Sequence, residues 1–338
     1  MRTRLSATSI VRTRDRRTIG ESKGALVRKI FATILCIFVA VGLLACSGQT
    51  SQEKGEKDGK KESETIAAKK LDEYSWDELS RISAEISAAA SDEAGREVAK
   101  RYGLVEEDGS LSGQTKMIVL DNKRALDVRL VGIRHDDKAD GSGKAGLTFM
   151  TVGAVDIRPM NNEDTIEGGW EASSLRAWLA NELPPRLDED FAKALVAVNK
   201  LTNNKGLTDN LEDVTVTQDK LWVFSVHEVC GDVTWDIDEY FQKRGYEDVD
   251  GMLNAEGAQY EAFVKAGITG TSGPSEFLSL KDSTGTSPWW YRTPHPFDFQ
   301  GFGDTGTHGY FYRVMDTGYP NSMGAPQDLS SVVVGFCV

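Results

Sequence analysis

The pattern of apolar and polar positions changes three times before residue 116. A basic stretch leads into an apolar run, residues 30–45, which ends at Cys46. Residues 46–66 are mostly Ser, Gly, Gln, Glu, Lys and Asp, and a stretch this polar cannot bury enough surface to fold. In residues 67–115 the apolar positions recur at helical spacing. The pattern predicts a leader, a disordered tether and a small helical segment, in that order.

The helical segment is predicted to hold two helices. Ser75 and Glu78 form a capping box, with Ser75 as the N-cap. Ser91 opens a second, shorter helix that ends at Gly103. The apolar positions of the first helix are Trp76, Leu79, Ile82 and Ile86. A stripe of this kind is typical of core packing, and we expect it to face a core rather than a partner's groove.

From residue 116 the pattern indicates strands. They are predicted at residues 117–120, 125–133 and 147–155, and the Gly- and Asp-rich stretch at 136–146 predicts a hairpin turn. That stretch contains a formal G-x-G-x-x-G. A dinucleotide site would need a helix after it, and here a strand pattern follows. No nucleotide site is therefore predicted.

The remainder of the chain mixes helical and strand patterns. Ser173 or Ser174 is predicted to cap a helix that ends at Pro184, and Asp188 is predicted to cap the next helix. Further strands are predicted at residues 221–226, 310–315 and 331–337, with an acidic, helix-prone insertion at 232–266.

The leader is typical of a bacterial export signal. Its apolar run is about 16 residues long, shorter than the roughly 20 needed to cross a bilayer, so cleavage is favoured over an uncleaved transmembrane anchor. The sequence Leu43-Leu44-Ala45-Cys46 resembles the lipobox of bacterial lipoproteins. That resemblance implies a lipid on Cys46 and a protein anchored to the membrane at the cell surface or in the envelope.

Charge limits the partners. The formal net charge is −13, and because residues 1–45 carry +7, the remainder carries −20. An acidic protein is a poor ligand for nucleic acid, so no nucleic-acid partner is predicted.

Cysteine and histidine usage gives no sign of a metal site. After the leader and Cys46, only Cys230 and Cys337 remain, and they could form a disulfide or stay as two buried free thiols. The four histidines are scattered, without H-x-x-x-H or C-x-x-C spacing, so no metal and no cofactor is expected. There is also no G-x-S-x-G nucleophile motif.

Two segments resemble a known family. The first is WEASSLRAWL at residues 170–179, which includes Trp170, Ser173, Arg176 and Trp178. The second is WWYRTP at residues 289–294, and VVVGFC follows it at residues 332–337. In this order they resemble the bacterial family called domain of unknown function 6273, over about residues 116–338.

That family resembles a branch of the C-type-lectin-like fold, which formylglycine-generating enzymes also use. The resemblance implies an α+β fold: a twisted antiparallel sheet with flanking helices, here preceded by the small helical segment. The chain lacks both the closely spaced cysteine pair of the generating enzymes and the calcium motifs of lectins. The resemblance therefore implies a fold and no particular activity.

The aromatic strands provide the candidate binding residues. Aromatic faces stack on sugars, and an adjacent Arg holds carboxylates. The candidates are Trp289, Trp290, Tyr291, Arg292, His295, Tyr310 and Tyr312. The alternative is that these side chains face the core, because alternate residues of a strand point to opposite faces.

Four segments are expected: signal peptide 1–45, tether 46–66, helical segment 67–115 and C-type-lectin-like domain 116–338. The favoured function is a lipid-anchored surface protein with a non-catalytic domain that binds glycan, peptidoglycan or a protein. A structural envelope lipoprotein, or a hydrolase or oxidase on the same fold, is the alternative.

Overall fold

The computed structural model describes residues 66–121, 123–235, 245, 247–282, 285–296 and 309–338. The predicted leader, Cys46 and nearly all of the predicted tether lie outside these residues. No helix in the described part of the chain is long and apolar enough to cross a membrane.

The described residues from 66 onward form one compact unit with hydrophobic cores of its own. A segment of this size with its own core has what a domain needs to fold independently. Within the described residues it combines helices with mostly antiparallel sheets, which is the α+β class that the sequence predicts.

The helices in the described residues are α1 (Trp76–Ser87), α2 (Asp92–Arg101), α3 (Ser174–Asn181), α4 (Glu189–Ala194), α5 (Val226–Cys230), α6 (Val249–Asn254) and α7 (Glu261–Lys265). The predicted N-caps are confirmed at Ser75, Ser91, Ser173 and Asp188, each of which accepts a bond from a backbone N–H in the first turn. At α1 the capping box with Glu78 is complete.

The strands are β1 (Thr115–Val119), β2 (Ala125–Ile133), β3 (Leu147–Thr151), β4 (Ile157–Arg158), β5 (Val198–Asn203), β6 (Val214–Asp219), β7 (Leu221–Trp222), β8 (Leu280–Asp282), β9 (Gly285–Ser287), β10 (Trp289–Pro294), β11 (Phe311–Val314), β12 (Ser322–Gly324), β13 (Ser330–Ser331) and β14 (Gly335–Cys337). The hairpin predicted across residues 136–146 is confirmed, because β2 and β3 pair antiparallel on either side of it.

Two five-stranded sheets organise these strands. The first has the order β1-β2-β3-β14-β7 and is antiparallel throughout. The second has the order β12-β11-β10-β13-β4, and its β10–β13 pair is parallel. The last strand, β14, lies inside the first sheet, where Phe336 pairs with Phe149 on one side and Leu221 on the other.

Helix α1 packs directly on the first sheet. Trp76 contacts the rings of Phe149 and Phe336, with centroids 6.1 Å and 6.0 Å away. A Cβ at Gly146 would lie 2.1 Å from the Ser83 carbonyl oxygen, so only glycine permits this approach. The helical segment and the sheet therefore share one hydrophobic core.

Two predicted strands take a different form. The strand predicted at 221–226 stops at Trp222, because Ser225 and Glu228 form a capping box that starts α5 instead. The strand predicted at 331–337 is split, since β13 belongs to the second sheet and β14 to the first. In the insertion at 232–266, α6 and α7 form, and residues 236–244 lie outside the described residues.

Candidate functional site

Strand β10 contains four of the seven candidate binding residues and lies in the interior. Trp289, Trp290 and Tyr291 are at most 1% exposed. The Trp289 indole N–H donates to the carbonyl of Leu278 at 2.8 Å, and that of Trp290 donates to the carbonyl of Arg158 at 2.9 Å. The open aromatic groove that the sequence allowed is not formed here, because both faces of β10 pack into hydrophobic core.

The remaining candidates are also mostly enclosed. His295 and Tyr312 are buried and lie ring to ring, with centroids 4.8 Å apart, while Tyr310 is half-buried. Six of the seven candidates are thus interior side chains. Ligand binding by these residues stays a prediction, and their burial favours the alternative in which they are core.

Arg292, the fourth candidate on β10, is fully buried, and each of its three guanidinium nitrogens donates a hydrogen bond. Its Nη1 lies 2.5 Å from Oε2 of Glu228, and its Nε donates to Thr202 Oγ1 at 2.6 Å. The terminal nitrogens also donate to the carbonyls of Val223 and Leu201, each at 3.1 Å. Burial alone would lower the pKa of Arg292, but Glu228 outweighs it and the pKa is raised.

Lys200 lies beside this pair. Its Nζ donates to Oδ1 of Asp136 at 2.7 Å and to the Tyr260 hydroxyl at 2.9 Å, and it forms an ion pair with Glu228. Burial alone would raise the pKa of Asp136. The positive charge of Lys200 outweighs burial, and the pKa lies well below its usual range.

Glu256 is the acid in this region whose pKa is raised. One of its carboxylate oxygens accepts from the backbone N–H of Asn203 at 2.7 Å, and the other accepts from the Thr293 hydroxyl. Burial raises the pKa of Glu256 to about 7, and the attraction of Arg292 offsets this only in part.

Together, Asp136, Lys200, Glu228, Glu256 and Arg292 form what we call the buried ion network. Each cation in it contacts a carboxylate, and each side chain is almost completely shielded from solvent. Breaking such a pair is strongly unfavourable, because the remaining charge is left buried alone. The network joins β5, α5 and β10, and a ligand could reach it only if the interior opened.

The two cysteines lie in different parts of this interior. Within the described residues both are free thiols, so the alternative of two buried thiols holds and the disulfide is not formed. Cys230 Sγ lies 3.7 Å from the Tyr291 hydroxyl, and Cys337 Sγ lies 3.2 Å from Thr148 Oγ1. Burial raises the pKa of the Cys230 thiol to about 12 and also raises that of Cys337.

The Trp170 motif makes structural contacts. The Trp170 indole N–H donates to Oδ2 of Asp219 at 3.1 Å, and Nε of Arg176 donates to Oδ1 of the same residue at 2.7 Å. Ser173 caps α3, and Trp178 is buried. Arg176 thus pairs with an internal acid, since only 4% of the Asp219 side chain is exposed.

An open cleft of about 490 Å³ lies between the turn before β1, strand β2 and helix α7, and we call it the Arg129 cleft. Its apolar lining consists of Leu111, Leu130, Val152, Ala262, Ala266 and Phe277. Its charged lining consists of Arg129 and Lys265, with no carboxylate among the described lining residues. A concave, mostly apolar surface with few polar groups is typical of small-ligand sites.

Arg129 differs from the paired arginines. Its guanidinium lies 4.4 Å from the centre of the Phe277 ring. Its Nε is buried without a partner, and no described residue forms a hydrogen bond or ion pair with its side chain. Burial lowers the pKa of the Arg129 guanidinium, which nevertheless stays charged at neutral pH. The cleft therefore presents an unneutralised cation.

The sequence pattern does not predict this site. Its visible signal is an arginine between Val128 and Leu130, inside a strand that is otherwise apolar at its centre. The other wall of the cleft comes from α7 and Phe277, more than 100 residues later, and nothing in the strand pattern indicates that these elements meet.

Other candidate sites are weaker. A second cleft of about 390 Å³ runs beside α3, but its Arg176 and Asp219 already neutralise each other. Among the described side chains, no group of three or more His, Cys, Asp or Glu is placed to hold a metal ion.

The structure defines an α+β domain with a buried ion network and an open cationic cleft. The chain belongs to the family described as domain of unknown function (DUF6273), whose model matches residues 142–322. No curated protein and no solved structure matches the chain. The matched segment contains α7 and Phe277 but begins after Arg129, so it includes only part of the lining of the cleft.

Proposed function

We propose that this protein is a non-catalytic ligand-binding protein, held at the bacterial cell surface by a lipid on Cys46, and that it binds its ligand in the Arg129 cleft. The observation that carries the proposal is the cleft itself. Its volume of about 490 Å³ falls in the size range of small-ligand sites, and its lining combines apolar side chains with an unpaired guanidinium.

Burial of the reactive groups supports a non-catalytic role. The strongly perturbed acids of the described residues, Asp136 and Glu256, and the thiols of Cys230 and Cys337 are all shielded from solvent. General acid–base or nucleophilic catalysis needs such a group within hydrogen-bond reach of the substrate. Glycan, peptidoglycan or a surface protein could supply the ligand, in keeping with an exported protein.

The proposed fold is a branch of the C-type-lectin-like fold. Two features support it: antiparallel sheets flanked by helices, and long connections between the strands of the second sheet. An experimental structure of residues 66–338 that superimposes on no lectin-like domain would refute this part of the proposal.

A structural envelope lipoprotein is the second candidate. Burial of Trp289, Trp290 and Tyr291 favours it, because the aromatic strand that could have offered a sugar-binding surface forms core instead. The two candidates differ in whether the Arg129 cleft takes a ligand.

The test is a thermal-shift screen of residues 66–338 against glycans, muropeptides and organic acids. Ala266→Trp would fill the Arg129 cleft, and Ala177→Trp places the same side chain at the exposed edge of the second cleft as a matched control. We expect a ligand whose stabilising shift is lost in Ala266→Trp and kept in Ala177→Trp. No shift with any ligand class, or a shift that survives Ala266→Trp, would refute the assigned site.

A further inference from the structure

We infer that the ligand of the Arg129 cleft is a carboxylate attached to an apolar group, with the carboxylate on Arg129 and the apolar group against the α7 side of the cleft. The inference rests on the proposed function and adds the chemical class of the ligand. The observation behind it is that an unpaired guanidinium lies beside an open apolar surface.

Arg129 has no anionic partner among the described residues. Two other arginines of the domain are neutralised: the buried Arg292 by Glu228, and the half-buried Arg176 by Asp219. A charge removed from water without a partner is costly, and that cost is relieved when an anion binds. Within the described residues nothing supplies this anion to Arg129.

A neighbouring ring restrains the orientation of the Arg129 guanidinium. Phe277 lies under it, and Phe277 is itself held by an edge-to-face contact with Phe263, at 5.7 Å between ring centroids. The ring restrains the guanidinium and leaves the edge with its terminal N–H groups for hydrogen bonds. A carboxylate matches two parallel N–H groups on that edge, so the pair forms without further ordering of the arginine.

The charge of the cleft lining is opposite to that of the chain as a whole. The chain as a whole is acidic, with a formal net charge of −13, and would repel anions at most of its surface. The described lining of the Arg129 cleft reverses this, because Arg129 and the exposed Lys265 are its charged residues. The nearby acid Glu261 is already paired with Arg96, at 2.7 Å. An anion is therefore favoured here.

The lining of the cleft fits a carboxylate better than a phosphate. A dianionic phosphate usually takes several donors. Here a single guanidinium is held at the wall, and the second cation, Lys265, lies exposed at the rim. Leu111, Ala262 and Ala266 then offer apolar contact to the remainder of the ligand. One negative charge on an apolar body fits this lining best.

The experiment is calorimetric titration of residues 66–338 with four probes and two matched neutral compounds. 3-Phenylpropionate represents a free organic acid, and the tripeptide Ala-Ala-Phe represents a peptide C-terminus. Each is compared with its primary amide, which keeps the shape and removes the charge. Phenyl phosphate and benzyl alcohol complete the set. Arg129→Gln, Arg129→Lys and the cleft-filling Ala266→Trp are measured beside the wild type.

We expect at least one of the two acids to bind about 10- to 100-fold more tightly than its amide, the effect expected for a hydrogen bond to a charged group. Arg129→Gln should remove that preference, and Arg129→Lys should restore part of it. The acid that binds more tightly distinguishes a free organic acid from a peptide C-terminus as the source of the carboxylate.

The opposing outcomes are distinct. Equal binding of acid and amide, lost in Ala266→Trp, would overturn the carboxylate inference and leave the binding site intact. Tighter binding of phenyl phosphate than of either acid would overturn it in the same way. Failure of both acids while another ligand binds in the cleft would also overturn it, and failure of every ligand would overturn the proposed function as well.

Discussion

The guanidinium of Arg129 lies over the ring of Phe277, 4.4 Å from its centre, and finds no anionic partner among the described residues. Arg292 is the opposite case, because all three of its guanidinium nitrogens are bonded inside the protein. Arg292 therefore stabilises the fold, whereas Arg129 is left for a ligand.

Arg129→Met should change the free energy of unfolding by less than about 1 kcal/mol. The lost cation–π contact is worth roughly 0.5–1 kcal/mol, and removal of a desolvated charge offsets it. Arg292→Met should cost about 3–5 kcal/mol, because Glu228 loses one of its two cationic partners in the interior. Urea unfolding of residues 66–338 measures both. Equal destabilisation by the two variants would mean that Arg129 also serves the fold.

Trp290→Ala should cost about 3–5 kcal/mol, the range for removing a large aromatic side chain from a core. Trp290 is fully buried and its indole N–H is bonded to the Arg158 carbonyl. Leu329→Ala, at a side chain that is 68% exposed, is the control and should cost less than about 0.5 kcal/mol. If the Trp290→Ala variant were as stable as the wild type but did not bind ligand, Trp290 would belong to a ligand-binding groove and not to the core.

Glu256 should make stability depend on pH. Burial raises its pKa from an ordinary value of 4.5 to about 7. Between these pH values the folded protein keeps a proton that the unfolded chain releases, so the contribution of Glu256 to stability falls as the pH rises through this window. The effect is on the order of 1–3 kcal/mol.

The measurement compares the wild type with Glu256→Gln, an uncharged side chain of the same shape that can still bond Asn203 and Thr293. The stability of the variant relative to the wild type should increase from pH 5 to pH 8. A constant difference across that range would show that Glu256 does not titrate there.

Both thiols should be unreactive in the folded protein. Burial holds the pKa of Cys230 at about 12 and also raises that of Cys337, so the reactive thiolate is scarce at pH 8. With residues 66–338, a thiol reagent should label neither cysteine natively and both in guanidinium chloride. Rapid native labelling would contradict this, and an absence of free thiols in denaturant would reveal a disulfide.

Cys46→Ala tests the anchor. The full chain should lose its lipid, detected as the missing mass of the modified N-terminal peptide, and should leave the membrane fraction if it is still processed. A processed Cys46→Ala protein that stays in the membrane would refute the lipoprotein assignment.

Local signals predicted the helices well. Ser75, Ser91, Ser173 and Asp188 all cap helices, because a capping side chain bonds backbone N–H groups within its own turn and needs no distant partner. The strand at 125–133 was equally clear from its apolar positions. At Ser225 the prediction was wrong: the apolar run indicated a strand up to residue 226, but a capping box in the same segment starts α5 instead.

Long-range placement could not be predicted from the same signals. The strand pattern leaves open whether Trp290 faces water or core, since that depends on which elements cover β10. The buried ion network joins residues from 136 to 292, and the Arg129 cleft joins residues from 111 to 277. Such sites form only when separate elements pack together.

The most direct test of the binding site is alanine-methyl NMR of residues 66–338, titrated separately with 3-phenylpropionate and with Ala-Ala-Phe. Ala262 and Ala266 line the Arg129 cleft, and Ala177 and Ala180 line the second cleft, so each site has its own reporters. We expect saturable shifts at Ala262 and Ala266, with Ala177 and Ala180 unchanged. Shifts confined to Ala177 and Ala180, or no shift at any of the four methyl groups with either acid, would contradict the assignment of the Arg129 cleft as a carboxylate-binding site.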